Sequence, residues 1–282
     1  MKTPILLSAT RLDRLAAAGG CVIVDCRFDL ADTGAGREAY LDGHLPGACY
    51  AHLDDDLSSP IGPETGRHPL PATADFARFL ARIGWQEGQL LVAYDEGAGA
   101  IASRLWWLMR FHGQAAALLD GGIAAWKAAG LPLEAGECRA EPTPVPDLVA
   151  DESQIVSTAN LAEQRQAYVV VDARASERFT GAVEPLDTRA GHIPGALNRP
   201  FGSNLRLNGR FREPSELAAE FESLLGGASP QRVVHSCGSG VTACHNLFAM
   251  ELAGIGGSRI YPGSWSEWIR DPSRPIETGL QG

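Results

Sequence analysis

The chain has 282 residues, enough for two domains that each bury a core, and 45% of them are hydrophobic while 21% are charged. This is the composition of a soluble globular protein. The formal net charge of −10 argues against a nucleic-acid partner, because phosphate binding needs clustered Lys and Arg and the sequence has no such cluster. An anionic substrate would have to be met by a few local cations.

The N-terminal stretch Met1–Leu7 contains an apolar run that is too short for the core of a signal peptide. Ser8 then opens a pattern typical of a capped amphipathic helix. No segment is long enough to span a membrane. The cysteines form no Cys-x-x-Cys pair and show no Cys/His ligand spacing; they stand at positions 21, 26, 49, 138, 237 and 244. We therefore expect a cytoplasmic protein with free thiols and no structural metal.

The two halves of the chain repeat each other. The run Val22–Arg27 returns as Val169–Arg174, and the turn Gly43–Ala48 returns as Gly191–Ala196. Two further matches follow in the same order, Leu91–Asp95 with Val233–Cys237 and Gly121–Trp126 with Gly263–Trp268. The sequence therefore predicts a duplicated domain.

Within each half, short β-branched runs alternate with helical patterns, the clearest of which cover residues 74–83, 103–111 and 214–225. Such alternation implies right-handed crossovers and an α/β fold, in which each domain is a mainly parallel sheet with helices on both faces. The Pro-rich stretch Glu141–Pro146 reads as an extended linker. We expect a first domain at residues 1–135, a linker at 136–153 and a second domain at 154–282.

Both copies carry an Asp-x-Arg pair at the end of a strand, Asp25 with Arg27 and Asp172 with Arg174. A feature that occurs in both copies does not mark a site found in only one of them. We interpret these pairs as structural ion pairs that support the following loop. By the same argument, we interpret His44 and His192, the histidines of the two Gly-His-x-Pro-Gly-Ala turns, as structural residues.

The copies differ at the end of one strand, where the first has Asp95 and the second has Cys237. Gly238 and Gly240 let the backbone turn tightly there before a helical pattern begins at Thr242. A sulfur in this strand-loop-helix unit faces converging N–H groups and the positive end of a helix, and both favour the thiolate. Cys237 is the predicted nucleophile, with a buried structural thiol as the alternative. Asp95 offers no thiol, so the first copy lacks this nucleophile.

The run Cys237–Ala243 resembles the active-site loop of the rhodanese superfamily, specifically that of the 3-mercaptopyruvate sulfurtransferases. Both copies fit the rhodanese pattern, so the resemblance covers nearly the whole chain. Thiosulfate sulfurtransferases of this fold typically carry a cation in the loop, whereas this loop has Ser239 and no Lys or Arg. The resemblance therefore favours mercaptopyruvate as the donor. The loop residues expected to bind it are Gly238, Gly240, Val241 and Thr242.

The resemblance also implies partners for Ser239. In the mercaptopyruvate enzymes, a histidine just before a Pro/Leu-rich turn and an acid upstream of it reach toward the catalytic serine. His68 matches the histidine, and Asp55 aligns best as the acid, with Asp54 and Asp56 beside it as alternatives. Judged from the residues alone, three adjacent acids are more often a solvated face.

Family members hold the carboxylate of the donor with two arginines, which match Arg178 and Arg189 in this chain. The planar guanidinium suits this task because it binds a carboxylate through two hydrogen bonds. For Arg189 the alternative is an ordinary surface arginine. His235 and His245 flank the loop in sequence and are interpreted as packing residues.

These residues imply a two-step sulfur transfer without an organic cofactor or metal. A small anionic donor would leave a persulfide on Cys237, and cyanide, a thiol or a reduced thioredoxin would accept the sulfur. Thiosulfate is the alternative donor, and a non-catalytic sulfur-carrier or interaction module is the alternative of another class. A cysteine-dependent phosphatase or arsenate reductase would need an arginine near the far end of the loop, where Ala243 and Cys244 stand.

Overall fold

The computed structural model describes residues 5–279, so part of the run Met1–Leu7 and the outer ends of both predicted domains lie outside the described residues. The chain divides into two compact units. The first comprises Met1–Ser59, Leu70–Asp151 and Leu207–Arg210, and the second comprises Pro60–Pro69, Glu152–Arg206 and Phe211–Gly282. Residues 60–69 are flanked in sequence by the first unit but pack with the second. Residues 207–210 are flanked by the second unit but pack with the first.

The first unit is built on a five-stranded parallel sheet with the order β1-β5-β4-β2-β3. Its strands are β1 (Leu6–Leu7), β2 (Cys21–Asp25), β3 (Cys49–Tyr50), β4 (Leu90–Tyr94) and β5 (Ala116–Leu119). Its helices are α1 (Ala9–Ala17), α2 (Ala35–Asp42), α3 (Thr73–Arg82), α4 (Ala102–Phe111) and α5 (Gly122–Ala128).

Both faces of this sheet are buried. Ile23 of β2 and Val92 of β4 pair in register and pack with Leu12 of α1 and Trp126 of α5. Successive side chains of a strand point to opposite faces, and Leu91, next to Val92, is equally buried. Helix α4 packs against β4 and β5. Burial on both faces explains why these strands read as continuous apolar runs.

The second unit has a four-stranded parallel sheet with the order β7-β6-β8-β9. Its strands are β6 (Val169–Asp172), β7 (Leu197–Asn198), β8 (Val233–Ser236) and β9 (Arg259–Ile260). Its helices are α6 (Thr158–Glu163), α7 (Ser176–Thr180), α8 (Pro214–Leu225), α9 (Ala243–Leu252) and α10 (Ser264–Trp268). Short 3₁₀ helices lie at Glu152–Gln154, Arg165–Ala167, Phe201–Asn204 and Pro230–Arg232.

The core of the second unit joins its sheet to helices α6, α7 and α10. Val170 and Val234 are register partners on β6 and β8, and they pack with Leu161, Phe179 and Trp265. Helix α9 packs against β8, β9 and α8. The predicted α/β class and the predicted parallel sheets are confirmed in both units.

The predicted helices also form, within one residue of the expected bounds, as α3, α4 and α8. Ser8 occupies the N-cap of α1, but its side chain makes no capping bond to the helix amides, so this detail of the prediction is wrong. The Oγ of Ser8 lies 3.4 Å from the Oγ1 of Thr10 instead. None of the helices in residues 5–279 has the length and apolar character needed to cross a membrane.

The predicted Asp-x-Arg ion pairs are confirmed in both copies. Arg27 contacts the Asp25 carboxylate at 2.6 Å and donates to the carbonyl of Gly43. Arg174 contacts Asp172 at 2.6 Å and donates to the carbonyl of Gly191. Each arginine thereby ties the end of a strand to the glycine that opens the Gly-His-x-Pro-Gly-Ala turn. The histidines of these turns are buried and stack on Tyr40 and Phe179.

The segment predicted as a linker has no helix or strand between residues 137 and 150, and it is bound to the first unit. The amide of Thr143 donates to the carbonyl of Ala81 at 3.0 Å, and its hydroxyl donates to the carbonyl of Trp85. The amide of Asp151 donates to the carbonyl of Phe111 at 2.8 Å. The extended chain therefore has fixed hydrogen-bond partners along its length.

Candidate functional site

Cys237 directly follows β8 and stands six residues before the start of α9. Its backbone is held on both sides, because its amide donates to Ser264 Oγ at 3.1 Å and its carbonyl accepts from the amide of Trp265 at 3.0 Å. The sulfur is nearly buried, with 2% of the residue exposed, and it accepts the amide N–H of Gly240 at 3.2 Å. An N–H aimed at the sulfur stabilises the thiolate, which is the nucleophilic form.

Gly240 is required for this turn. Its φ is +80°, and a Cβ on this residue would stand 2.3 Å from the carbonyl oxygen of Pro262. The next residues begin α9: the carbonyl of Val241 accepts the amide of Cys244, and the carbonyl of Thr242 accepts the amide of His245. The loop therefore runs directly into the N-terminus of a helix, as its sequence indicates.

The equivalent loop of the first unit, which follows β4, binds a carboxylate through its backbone amides. The carboxylate of Asp95 accepts four amide N–H groups, from Gly97, Gly99, Ile101 and Ala102, at 2.8–3.2 Å. The loop after β4 is thus an anion cradle that its own side chain occupies. Asp95 matches Cys237, whose sulfur accepts the amide N–H of Gly240 in the loop after β8.

Ser239 and His68 meet beside Cys237. Ser239 Oγ and His68 Nδ1 are 2.6 Å apart, and the two residues are 6% and 5% exposed. His68 lies in the segment Pro60–Pro69, which packs within the second unit. This brings together, across 171 positions of sequence, a hydroxyl and an imidazole that can pass a proton.

The segment that carries His68 is held by contacts of the residues just before it. The amide of Arg67 donates to Ser266 Oγ at 3.1 Å, and Arg270 Nε donates to the carbonyl of Thr65 at 3.0 Å. Gly66 fits because a Cβ there would stand 2.7 Å from the carbonyl oxygen of Gly263. The position of His68 is therefore set by contacts with helix α10 and the residues around it.

Asp55, the predicted acid behind His68, belongs to the first unit. Its side chain is 81% exposed, and its carboxylate lies 3.4 Å from His52 Nδ1. The alternative Asp56 accepts the amide of His52 and pairs with Arg82 at 2.6 Å. For Asp54, burial raises the pKa of the carboxyl, with a further contribution from Asp55. The role of Asp55 stays a prediction.

Two guanidinium groups lie at Gly238. A Cβ on Gly238 would stand 2.8 Å from Arg67 Nη2 and 3.5 Å from Arg178 Nη1. Arg178 is the predicted substrate residue, whereas Arg67 was not singled out by the sequence. The loop itself carries no cation, as expected, but the segment before His68 brings one to it. The only signal in the sequence was the position of Arg67 next to His68.

Arg67 and Arg178 form ion pairs with two carboxylates. Arg178 contacts Glu184 at 2.7 Å and Asp187 at 3.0 Å, and Arg67 contacts Asp187. Burial raises the pKa of Glu184, but hydrogen bonds from Arg178 and two amides outweigh burial and lower it below its usual value. Burial raises the pKa of Asp187 despite its arginine partners. Sequence analysis missed both acids.

Arg189 stands apart from this pairing. Its Nη1 is buried and has no hydrogen-bond partner among the described residues. Its carbonyl accepts the indole N–H of Trp265 at 2.9 Å, which links its backbone to the helix next to Cys237. No described contact joins Arg189 to Arg178, so the substrate-binding role of Arg189 stays a prediction.

Three further side chains near the loop are buried, and the two histidines among them pack as predicted. His235 is fully buried on β8, and burial lowers the pKa of its imidazole to about 3, so it is neutral at physiological pH. The ring of His245 stacks on Phe211. The thiol of Cys244 is buried and donates to the carbonyl of Gly240 at 3.3 Å, so it supports the loop.

Comparison with known proteins identifies two rhodanese-like domains, at residues 8–129 and 157–271. The chain is 46% identical over 284 positions to a Pseudomonas aeruginosa protein named a probable 3-mercaptopyruvate sulfurtransferase, covering 99% of this chain and 100% of that protein. It is 39% identical to a Mycobacterium tuberculosis protein provisionally named a thiosulfate sulfurtransferase, covering 98% of this chain and 97% of that one.

Among solved structures, the 3-mercaptopyruvate sulfurtransferase from Leishmania major superposes with a TM-score of 0.84. The two sequences are 32% identical, and the match covers 95% of this chain and 76% of the other. With a matching domain in each half and relatives that align over nearly its full length, this chain belongs to the rhodanese family and carries two copies of its domain.

Proposed function

We propose that the protein is a sulfurtransferase that takes sulfur from 3-mercaptopyruvate onto Cys237 and passes it to a thiol-type acceptor. The observation that carries the proposal is the contact of 2.6 Å between Ser239 and His68, next to a cysteine whose sulfur accepts the amide of Gly240. A nucleophile in an anion-favouring loop and a proton relay beside it are the two parts that this reaction needs.

In the first step, the Cys237 thiolate attacks the sulfur of the donor. A sulfur–sulfur bond forms, the carbon–sulfur bond breaks, and its electron pair stays on carbon as the enolate of pyruvate. That carbon must then gain a proton to give pyruvate. Ser239, which is hydrogen-bonded to His68 and lies two residues after the nucleophile, would deliver that proton. Cys237 is left as a persulfide.

In the second step, the acceptor attacks the outer sulfur and the Cys237 thiolate leaves. Cyanide would give thiocyanate, and a thiol would give a new persulfide. The Cys237 thiolate is a good leaving group because the Gly240 amide already points at its sulfur. We also propose reduced thioredoxin as an acceptor and the cytoplasm as the location of the reaction.

Arg67 and Arg178 would hold the carboxylate of the donor. Both guanidiniums reach Gly238, one residue from the nucleophile. They are paired with Asp187 and Glu184, so the donor must share or displace an acid that is already bound. Asp187 is the acid more easily given up, because burial raises its pKa, whereas the arginine lowers that of Glu184. Arg189 supplies an additional buried donor.

Thiosulfate is the second candidate donor, and the position of Arg67 favours it. Thiosulfate carries its charge on a sulfonate close to the sulfur that is attacked. A cation beside Gly238 can hold such a group even though the loop has no Lys or Arg of its own. The Mycobacterium tuberculosis relative carries a thiosulfate name.

The two domains would then have different tasks. The first, residues 1–135, has a loop whose anion cradle is filled by Asp95 and carries no nucleophile there. The second, residues 154–282, holds Cys237, and 136–153 connects the two. Residues 60–69 of the first domain's sequence serve the second, since they carry Arg67 and His68.

Parallel assays with the two donors test the proposal. Purified protein is given 3-mercaptopyruvate or thiosulfate with cyanide as the acceptor, and thiocyanate is measured in both assays and pyruvate in the first. We expect the higher kcat/KM with mercaptopyruvate and stoichiometric release of pyruvate. A preference for thiosulfate would support the second candidate. Absence of turnover with both donors, in folded protein, would leave the non-catalytic carrier or interaction module.

A further inference from the structure

Two cysteines of the first unit lie with their sulfurs almost in bonding contact. Cys49 on β3 and Cys138 in the segment after α5 have Sγ atoms 2.6 Å apart, although they are 89 positions apart in sequence. This distance is roughly half an ångström longer than a disulfide bond of about 2.05 Å. Both residues are free thiols. They form no Cys-x-x-Cys motif, so the sequence alone did not single them out.

The pair is accessible to small molecules. Cys49 and Cys138 both line a cavity of 590 Å³ in the first unit, which also borders Arg37, Tyr50 and Arg82. An adjoining cavity of 490 Å³ on the side of His44 is lined by the same two cysteines. A molecule with the size of a short peptide disulfide can therefore approach the sulfurs from the cavity.

The two thiols are not equivalent. Cys138 is partly exposed, whereas Cys49 is buried with 7% exposure. Burial raises the pKa of the Cys49 thiol, and its hydrogen bond with Cys138 adds to the effect. The backbone of Cys138 is held in place, because its amide donates to the hydroxyl of Tyr40 at 2.9 Å. An external reagent therefore reaches the Cys138 thiol first, and the more buried Cys49 thiol lies in contact with it.

We propose that Cys49 and Cys138 are a redox modification site that low-molecular-weight disulfides oxidise reversibly to an intramolecular disulfide. The Cys138 thiolate attacks one sulfur of the reagent, whose sulfur–sulfur bond breaks and releases one thiolate. Cys49 then attacks the Cys138 sulfur and gives up its proton to the second half of the reagent, which leaves as a thiol. Two electrons pass from the protein dithiol to the reagent, which leaves as two thiols.

The bond would fasten the start of the connecting segment to the sheet. That segment is already held by the amide of Gly136, which donates to the carbonyl of Leu41 at 2.8 Å, and by the amide of Thr143. A covalent link between β3 and Cys138 would close a loop of 89 positions. A loop of this length restricts the unfolded chain strongly, so oxidation should raise Tm by several degrees.

Peptide mapping after exposure to oxidised glutathione tests the proposal. The reduced wild-type protein is incubated with oxidised glutathione, the remaining thiols are alkylated, and the digest is read by mass spectrometry, with each cysteine scored separately. We expect a peptide that links Cys49 to Cys138 and disappears with dithiothreitol. Persistent glutathione on Cys138 without this link, or full alkylation of both cysteines, would overturn the proposal.

Three variants separate the proposed roles. Cys49→Ser should trap glutathione on Cys138 because the second attack is lost, whereas Cys138→Ser should leave Cys49 unmodified. Cys21→Ser is the control, since Cys21 is another half-buried thiol of the first unit, and burial raises its pKa to about 11. The Cys21→Ser variant should form the link as the wild type does.

Thermal unfolding gives a second test. The oxidised wild type should melt several degrees above the reduced form, and Cys49→Ser should show no such shift. Equal shifts in both proteins would contradict the assignment.

Discussion

The Cys237 amide donates to Ser264 Oγ across 3.1 Å, and Ser264 holds a φ of +54° in this position. It is the one residue other than glycine with a positive φ in the described part of the chain. The first copy has Gly122, with a φ of +55°, at the matching position. A serine in this conformation costs about 1–2 kcal/mol. The contact with the backbone of the nucleophile is the gain that offsets this strain.

Ser264→Gly separates the strain from the hydroxyl. The variant should fold with a free energy of unfolding within about 1 kcal/mol of wild type, because relief of the positive φ offsets the lost hydrogen bond. Its kcat/KM should fall about tenfold, since the Cys237 backbone loses an acceptor worth about one hydrogen bond. Ser264→Ala, which keeps the strain without the hydroxyl, is the comparison and should be less stable. Wild-type kcat/KM in the glycine variant would contradict this role.

Cys237→Ser should abolish turnover with every donor, because the Cys237 sulfur, which accepts the loop amide of Gly240, is the proposed nucleophile. Cys244→Ser is the matched control. Its hydroxyl can donate to the same carbonyl of Gly240 that the thiol uses, so most activity should remain. Intact-mass measurement after exposure to the donor should find one added sulfur on wild type and on Cys244→Ser. An added sulfur on the Cys237 variant would move the nucleophile elsewhere.

His68→Gln should affect the two donors differently. The carbon that leaves from mercaptopyruvate needs a proton, whereas the sulfite that leaves from thiosulfate does not. We expect kcat with mercaptopyruvate to fall about a hundredfold or more, and kcat with thiosulfate to change only a few-fold. Ser239→Ala should give the same pattern, and the double variant should be little worse than either single one. Equal losses with both donors would argue for a structural role of the pair.

Arg67→Met tests the cation that the tertiary structure brings to Gly238. The kcat/KM for thiosulfate should fall about ten- to a hundredfold, the value of one charge-assisted contact made in the transition state. The loss with mercaptopyruvate should be smaller, because Arg178 remains for its carboxylate. Arg206→Met also removes one positive charge, from an exposed ion pair with Glu213, and should leave both constants unchanged. A greater loss with mercaptopyruvate would assign Arg67 to that donor.

Asp95→Asn should weaken the first unit without slowing the reaction. The carboxylate accepts four amide N–H groups, and an amide side chain offers one acceptor atom where the acid offers two. We expect a loss of about 1–3 kcal/mol in the free energy of unfolding. The kcat/KM should stay within a few-fold of wild type. Urea denaturation and the donor assays measure the two effects. A loss of several orders of magnitude in folded protein would contradict the proposed division of tasks.

The sequence by itself determined the duplicated α/β architecture, the ion pairs that follow β2 and β6, and the loop that carries Cys237. These features depend on local patterns: apolar runs that become buried strands, glycines that permit a tight turn, and a second copy against which each motif could be checked. The substitution of Asp95 by Cys237 between the copies was visible for the same reason. It pointed to the second half as the place of the chemistry.

Only the tertiary structure decided which distant residues meet. Ser239 and His68 are 171 positions apart, and Cys49 and Cys138 are 89 apart. Arg67 reaches Gly238 because residues 60–69 pack with the second unit. No periodicity in the chain encodes such contacts, since they depend on how complete elements pack and where a connecting segment finds hydrogen-bond partners. The strain at Ser264 is likewise a property of the folded backbone, which the residue type alone does not reveal.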